Sequence, residues 1–182
     1  MASRTRKWVL TDQKILILGN AAGGKTRLAK RFERLLGIPI LHVDSIQFLP
    51  GMKLRDLGET RGFIREFLKK DSWVIDGYGP LDILEERMQI ADRIYFIDLP
   101  IWRHYWWATL RQFKNLYSRR KELPEGCSEL SVDHIAKLFR TISRIHHKMR
   151  PEMLRILSLP KYRDKVVQIK SLQALRAAFP SD

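Results

Sequence analysis

Five short apolar runs punctuate the chain, at 14–18, 40–43, 73–75, 93–97 and 165–169. Each is nearly continuous rather than alternating, the pattern of a strand covered on both faces. Between them apolar residues recur at helical spacing, which predicts helices at about 25–36, 60–70, 81–89, 102–119, 132–148, 151–157 and 172–178. Thr60 and Ser131 are the expected N-caps, and Asp133 suits the positive end of its helix. Strand and helix alternate, so the expected class is α/β: a parallel sheet with helices on both faces. No repeat, low-complexity tract or linker divides the chain, and one domain over 1–182 is expected.

Two segments interrupt the alternation. One is the loop 44–59 with Pro50-Gly51; the other is the helical excursion 102–159, broken by a polar stretch at 121–131 that holds Pro124 and Gly126. Insertions after the carboxyl ends of parallel strands lie over the ligand site. The first is therefore read as the acceptor-side segment and the second as a lid. Within the lid, Trp102, Tyr105, Trp106, Thr109, Phe113 and Leu116 share one helical stripe and are expected to be buried, with Trp107 off the stripe and exposed.

The strongest chemical signal lies just after the first apolar run. Gly19-Asn20-Ala21-Ala22-Gly23-Gly24-Lys25-Thr26 reads G-x-x-x-x-G-K-T, between a strand pattern and a helix pattern. In that setting it is a P-loop. Main-chain amides of the turn and the positive end of the helix face an incoming polyphosphate. Gly19 and Gly24 permit close approach, Lys25 reaches the outer phosphates, and the Thr26 hydroxyl can ligate Mg²⁺; Arg27 follows at the same helix end. A nucleoside triphosphate, ATP with Mg²⁺, is the ligand this implies.

Three further strands end in aspartate: Asp44, Asp76 and Asp98. In a parallel sheet these lie along the same edge as the P-loop. Phosphoryl transfer needs a carboxylate near the metal and often one that orients the attacking hydroxyl. Asp76, before Gly77, suits the magnesium role. Asp44 opens the acceptor loop and suits general-base or orienting work, and Asp98, before Leu99-Pro100, reads as a structural turn residue. A lid must also bring positive charge to the transferring phosphate. Arg103, Arg111, Arg119, Arg120, Arg140 and Arg144 are the candidates, with Arg111, Arg119 and Arg120 best placed beside the polar break. Arg55, Arg61, Arg65 and Arg87 read as surface, and His42, His104, His134 and His146-His147 form no metal-ligand spacing.

Composition changes the picture in two places. The 182 residues, 45% hydrophobic, suffice for a real core, and no apolar run approaches the ~20 residues of a membrane span. With one cysteine, Cys127, and no apolar signal core behind the basic N-terminus, a reducing, cytoplasmic setting is expected and no membrane partner. The net charge is +14, and residues 101–165 hold 15 Lys/Arg against 6 Asp/Glu. Such a surplus can hold a nucleic-acid backbone or neutralise small phosphorylated ligands. A nucleic-acid-associated ATPase is therefore the alternative to a small-molecule kinase.

With those residues in view, the chain resembles the adenylate-kinase-like P-loop kinases, and within them the DNA topology modulation (FlaR-related) group. The resemblance runs from Lys14 to about Phe179. It rests on 19–26, on 40–44 followed by Pro50-Gly51-Met52, on Trp73-Val74-Ile75-Asp76-Gly77-Tyr78, on 94–100 and on Leu123-Pro124-Glu125-Gly126-Cys127. It implies a three-layer P-loop NTPase fold with a five-stranded parallel sheet in order 2-3-1-4-5. It also implies an arginine-bearing helical lid, ATP with Mg²⁺, and transfer to a small acceptor, a nucleoside or nucleotide. Two departures stand out: Gly23 occupies a position where the group has serine, and Tyr78 follows Gly77 directly, without the group's asparagine.

Overall fold

The structure is a computed structural model that describes residues 13–50, 53–115 and 132–178. The five apolar runs form one parallel sheet. Its strands are β1 (Lys14–Gly19), β2 (Ile40–His42), β5 (Trp73–Asp76), β6 (Arg93–Ile97) and β7 (Val166–Ile169). They lie in the order β2-β5-β1-β6-β7, every pair parallel. Counted within this sheet alone, the order is 2-3-1-4-5, as the resemblance implies.

Around it, in chain order, are α1 (Lys25–Leu36), α2 (Val43–Gln47), α3 (Leu57–Leu68), α4 (Leu84–Ile90), α5 (Ile101–Asn115), α6 (Val132–Arg144), α7 (Arg150–Leu157), α8 (Pro160–Arg163) and α9 (Leu172–Ala178). The central strand shows why the sheet needs both layers. Successive side chains of β1 point to opposite faces. Ile15 and Ile17 join Leu28, Ala29 and Phe32 of α1 and Leu175 of α9, whereas Leu16 and Leu18 join Ile64 and Leu68 of α3 and Met153 and Leu157 of α7. All four β1 side chains are completely buried, so truncating any one to alanine costs about 2–5 kcal/mol.

Several local expectations change. The acceptor-side segment is not a plain loop. It contains α2 and a short antiparallel pair, β3 (Phe48–Leu49) with β4 (Lys53–Leu54). Asp56, not Thr60, caps α3: its Oδ1 accepts from the Gly58 and Glu59 amides at 2.7 and 3.1 Å. Thr60 is buried one turn in, its hydroxyl returned to the Asp56 carbonyl at 2.9 Å. A carboxylate near an uncapped helix start outcompetes a hydroxyl further along, because it also meets the helix dipole. The helix expected over 132–148 ends at Arg144 and passes into a π-helical turn, Ile145–Met149. Ser131 lies outside the described residues.

The aromatic stripe of α5 is the largest correction. Trp102, Trp106 and Phe113 are each more than half exposed, and Leu110 is exposed with them. The buried side is His104, Ala108 and Gln112, and Trp107, expected to be exposed, packs against the core. Here α5 meets the glycine-rich loop through His104 and also packs on α6, where Tyr105 lies edge-on to Phe139 at 5.3 Å and Ala108 joins Ile142. His104 and Ala108 fill that side and Trp107 packs beside them, whereas Trp102, Trp106 and Phe113 are left facing outward.

Candidate functional site

At the carboxyl edge of the sheet β1 lies between β5 and β6, so the turn leaving it is flanked by Asp76 on one side and Asp98 on the other. That turn is residues 19–24. Gly19 has φ 144°, and a Cβ there would sit 2.6 Å from the Ile97 carbonyl oxygen, so no side chain is tolerated. Ala22 (φ 53°) and Gly24 (φ 88°) are both left-handed. Alternating hands along a short turn direct consecutive amides into one concavity, a nest for anions. The helix that follows, α1, has Gly24 at its N-cap, no side-chain cap and no acidic residue in its first turn. Its leading N–H groups are therefore left for a ligand.

Lys25 and Thr26 are half-buried at that end and Arg27 is exposed. The Lys25 ammonium donates to the Asn20 carbonyl at 2.9 Å, curled over the loop from which it would reach a phosphate. The Asn20 side chain is buried: its Oδ1 accepts from the Ala21 amide at 2.7 Å, and its Nδ2 donates to the Ile142 carbonyl of α6 at 2.9 Å.

Asp76 ends β5, paired in register with Ile17 of β1. It is 5% exposed. One oxygen meets His42 Nδ1 at 2.9 Å; the other is buried without a hydrogen-bond partner among the described residues. A buried carboxylate oxygen left orphaned is unusual unless a metal or its water completes it. With the Thr26 hydroxyl at the start of α1, the donor set is all oxygen and fits Mg²⁺, which keeps several waters and takes few protein ligands. Magnesium bound there would neutralise charge on the phosphate oxygens.

Asp44 lies elsewhere in character. It is exposed in the first turn of α2, and its backbone carbonyl accepts from Phe48. Asp98 is nearly fully buried and held as a structural residue would be. Arg150 Nη2 reaches its Oδ2 at 3.0 Å, Arg150 Nε contacts the other oxygen, and Gln168 Nε2 donates to Oδ2 at 2.8 Å. Arg111 is half-buried on α5, whereas Arg140 and Arg144 are exposed on α6. Arg103 stacks over the Trp102 ring at 4.3 Å. Arg119 and Arg120 lie outside the described residues. On the acceptor side, Arg55 and Arg65 pair with Glu59 and Glu86, and Arg61 with Asp82.

Arg87 is not a surface residue. It is completely buried, donating from Nη1 to the Gly77 carbonyl at 3.1 Å and from Nη2 to the Tyr78 carbonyl, and burial pulls its guanidinium down to about 10. It braces the turn after Asp76.

A narrow cavity, with room for about one water, opens beside the loop. Asn20, Tyr78, Asp98, His104, His146 and Arg150 line it. Burial, reinforced by the charge of Asp98, pushes the Tyr78 hydroxyl well above its ordinary range, and that hydroxyl has no hydrogen-bond partner among the described residues. Sequence reasoning passed over His104, Arg87 and Arg150. Their partners lie 83, about ten and 52 positions away in the chain, and no local spacing encodes contacts of that length.

No protein-family model matches the chain, and no curated protein does. Among solved structures, the chain is similar to a shikimate kinase from Bacteroides thetaiotaomicron: 16% identity, TM-score 0.52, covering 92% of this chain and 95% of that one. A shikimate kinase from Acinetobacter baumannii in complex with shikimate is also similar, at 16% identity, with a TM-score of 0.48 and coverage of 95% and 92%. At such identities the likeness speaks for architecture: this chain has an α/β fold with a five-stranded parallel sheet, the fold of the P-loop kinases.

Proposed function

We propose that this protein is an ATP-dependent phosphotransferase acting on a small acceptor, a nucleoside or nucleotide. The observation that carries this reading is the loop 19–26. Left-handed Ala22 and Gly24, an uncapped helix start and Lys25 converge on one concavity, with the orphaned Asp76 oxygen on the neighbouring strand. In this reading the loop amides and Lys25 hold the β- and γ-phosphates, and Thr26 and Asp76 hold Mg²⁺. Asp44 orients the acceptor, and lid arginines, among them Arg111, Arg119 and Arg120, face the charge that spreads over the γ-phosphoryl oxygens. The chain forms one domain, with 44–59 on the acceptor side and 102–159 as the lid, working in a cytoplasmic setting. The finer placement, in the DNA topology modulation (FlaR-related) group, rests on the motif set described above.

The test is ADP release from ATP over a panel of nucleosides, nucleotides and small alcohols, each scored above its acceptor-free background. At least one acceptor is expected to stimulate release, and Lys25→Ala is expected to abolish that stimulation, because the loss falls on transition-state electrostatics. Near-normal turnover in Lys25→Ala would remove the mechanism.

A second reading, a nucleic-acid-associated ATPase, draws on the +14 charge and on the exposed rings of Trp102 and Trp106 beside Arg103. Indole faces and basic side chains together make a stacking surface for single strands.

A further inference from the structure

The phosphate-cradling loop is gripped by two side-chain bonds, one buried and one partly buried, that link it to the helices on either side of the lid break. From α5, His104 Nδ1 lies 2.9 Å from the Ala21 carbonyl, and His104 is 1% exposed. From the loop itself, Asn20 Nδ2 reaches the Ile142 carbonyl of α6. We propose that His104 is a positioning residue for the phosphate site, with Asn20 tying the lid to the same loop. The inference rests on reading residues 19–26 as the nucleotide's phosphate cradle.

The peptide bond supplies the reason. It is planar and trans, so the Ala21 carbonyl and the Ala22 amide point in opposite directions. Holding the carbonyl towards α5 aims the next N–H away from α5. A carbonyl can only accept, so Nδ1 carries the proton in this contact. Ala22, a residue with a Cβ, keeps φ 53° in this grip. Left-handed conformations cost a non-glycine residue free energy and persist where the surroundings dictate them.

Gly23 completes the argument. A Cβ at that position would lie 3.0 Å from His104 Cε1 and 3.0 Å from the Asn20 carbonyl oxygen. The imidazole therefore crowds the space a side chain at residue 23 would need. Asn20 carries the second half: its carbonyl takes the Lys25 ammonium while its amide holds α6. A phosphate that draws Lys25 off Asn20 thus acts on the residue that anchors the lid helix.

The test measures ADP affinity by titration calorimetry in the full chain and in His104→Asn, His104→Gln and His104→Leu, with thermal melts alongside. Asparagine places its N–H where Nδ1 stands; glutamine places it where Nε2 stands; leucine has none. Asn is expected within about threefold of the unsubstituted chain, whereas Gln and Leu weaken ADP by about tenfold, the worth of one ordinary hydrogen bond. Equal affinity in all four proteins overturns the proposal, and so does an Asn variant as weak as Leu, since bulk rather than the bond would then be at work. If Leu fails to fold, the Asn-against-Gln comparison carries the same decision. An unsubstituted chain that binds no ADP sinks the functional reading itself, a result distinct from four equal affinities.

Discussion

At the scale of single residues, the loop turns on a few backbone facts. Gly19 combines a φ of 144° with a Cβ position 2.6 Å from the Ile97 carbonyl, so neither conformation nor space admits a side chain. Gly19→Ala is expected to destabilise the fold by about 2–4 kcal/mol, read as a lower denaturant midpoint; an unchanged midpoint would contradict the geometry. His104 makes a second prediction, in pH. Burial, helped by the charge of Lys25, holds the imidazole below its ordinary value of 6.5, against the opposing pull of the Ala21 and Leu99 backbone. The unfolded chain therefore takes up a proton at a pH where the folded chain does not. The stability tied to this group is whole above about pH 6.5 and is lost as pH falls below it. Chemical denaturation at about pH 7.5 and about pH 5.5 should show that loss, and His104→Asn should shrink it. An identical loss in both proteins would remove His104 from the account. The glycines, Lys25 and Asp76 were legible in the sequence because local spacing carries them. His104 was not, because only the fold brings it to the loop.

Whole elements were legible to different degrees. The five strands announce themselves as short apolar runs, and each falls within a residue of its reading; the signal is strongest for the central β1, β5 and β6, which are buried along nearly their whole length. The faces of α5 did not, because amphipathic spacing identifies a stripe and not its neighbour. Where the neighbours are the 19–24 turn and α6, His104 and Ala108 fill the contact and Trp102 and Trp106 face outward. The junction of α6 and α7 adds a prediction. The π-helical turn Ile145–Met149 delivers Arg150 to Asp98, which is 2% exposed at its side chain, while Arg150 is about one-third exposed. Arg150→Met leaves a buried carboxylate with Gln168 as its remaining side-chain donor among the described residues. The expected loss, reduced for the solvent that reaches the guanidinium, is about 2–3 kcal/mol in unfolding free energy. Asp98→Asn with Arg150→Met together should recover part of it in a double-mutant cycle, and strict additivity would mean that the pair does not interact.

For the whole molecule, the sheet order places the turn 19–24 at the middle of the carboxyl edge, and the chain carries a net charge of +14. Charge decides partners only through its dependence on salt. If the second reading holds, binding of a labelled oligonucleotide falls with salt at a log–log slope of about −0.7 per phosphate contact for a single strand and about −0.9 for a duplex. The kinase reading predicts no binding of either at ~0.1 M salt. The parallel order and the position of the loop were legible because alternation and motif agree. The identity of the acceptor was not, because pocket shape around 44–59 and 76–80 depends on packing that one sequence leaves open. The most direct measurement is a crystal structure with a non-hydrolysable ATP analogue and Mg²⁺. The account predicts the triphosphate against the amides of residues 21–26, the Lys25 ammonium moved from the Asn20 carbonyl onto phosphate, and the metal beside Thr26 and Asp76. A triphosphate bound anywhere else, with Lys25 still on Asn20, would contradict it.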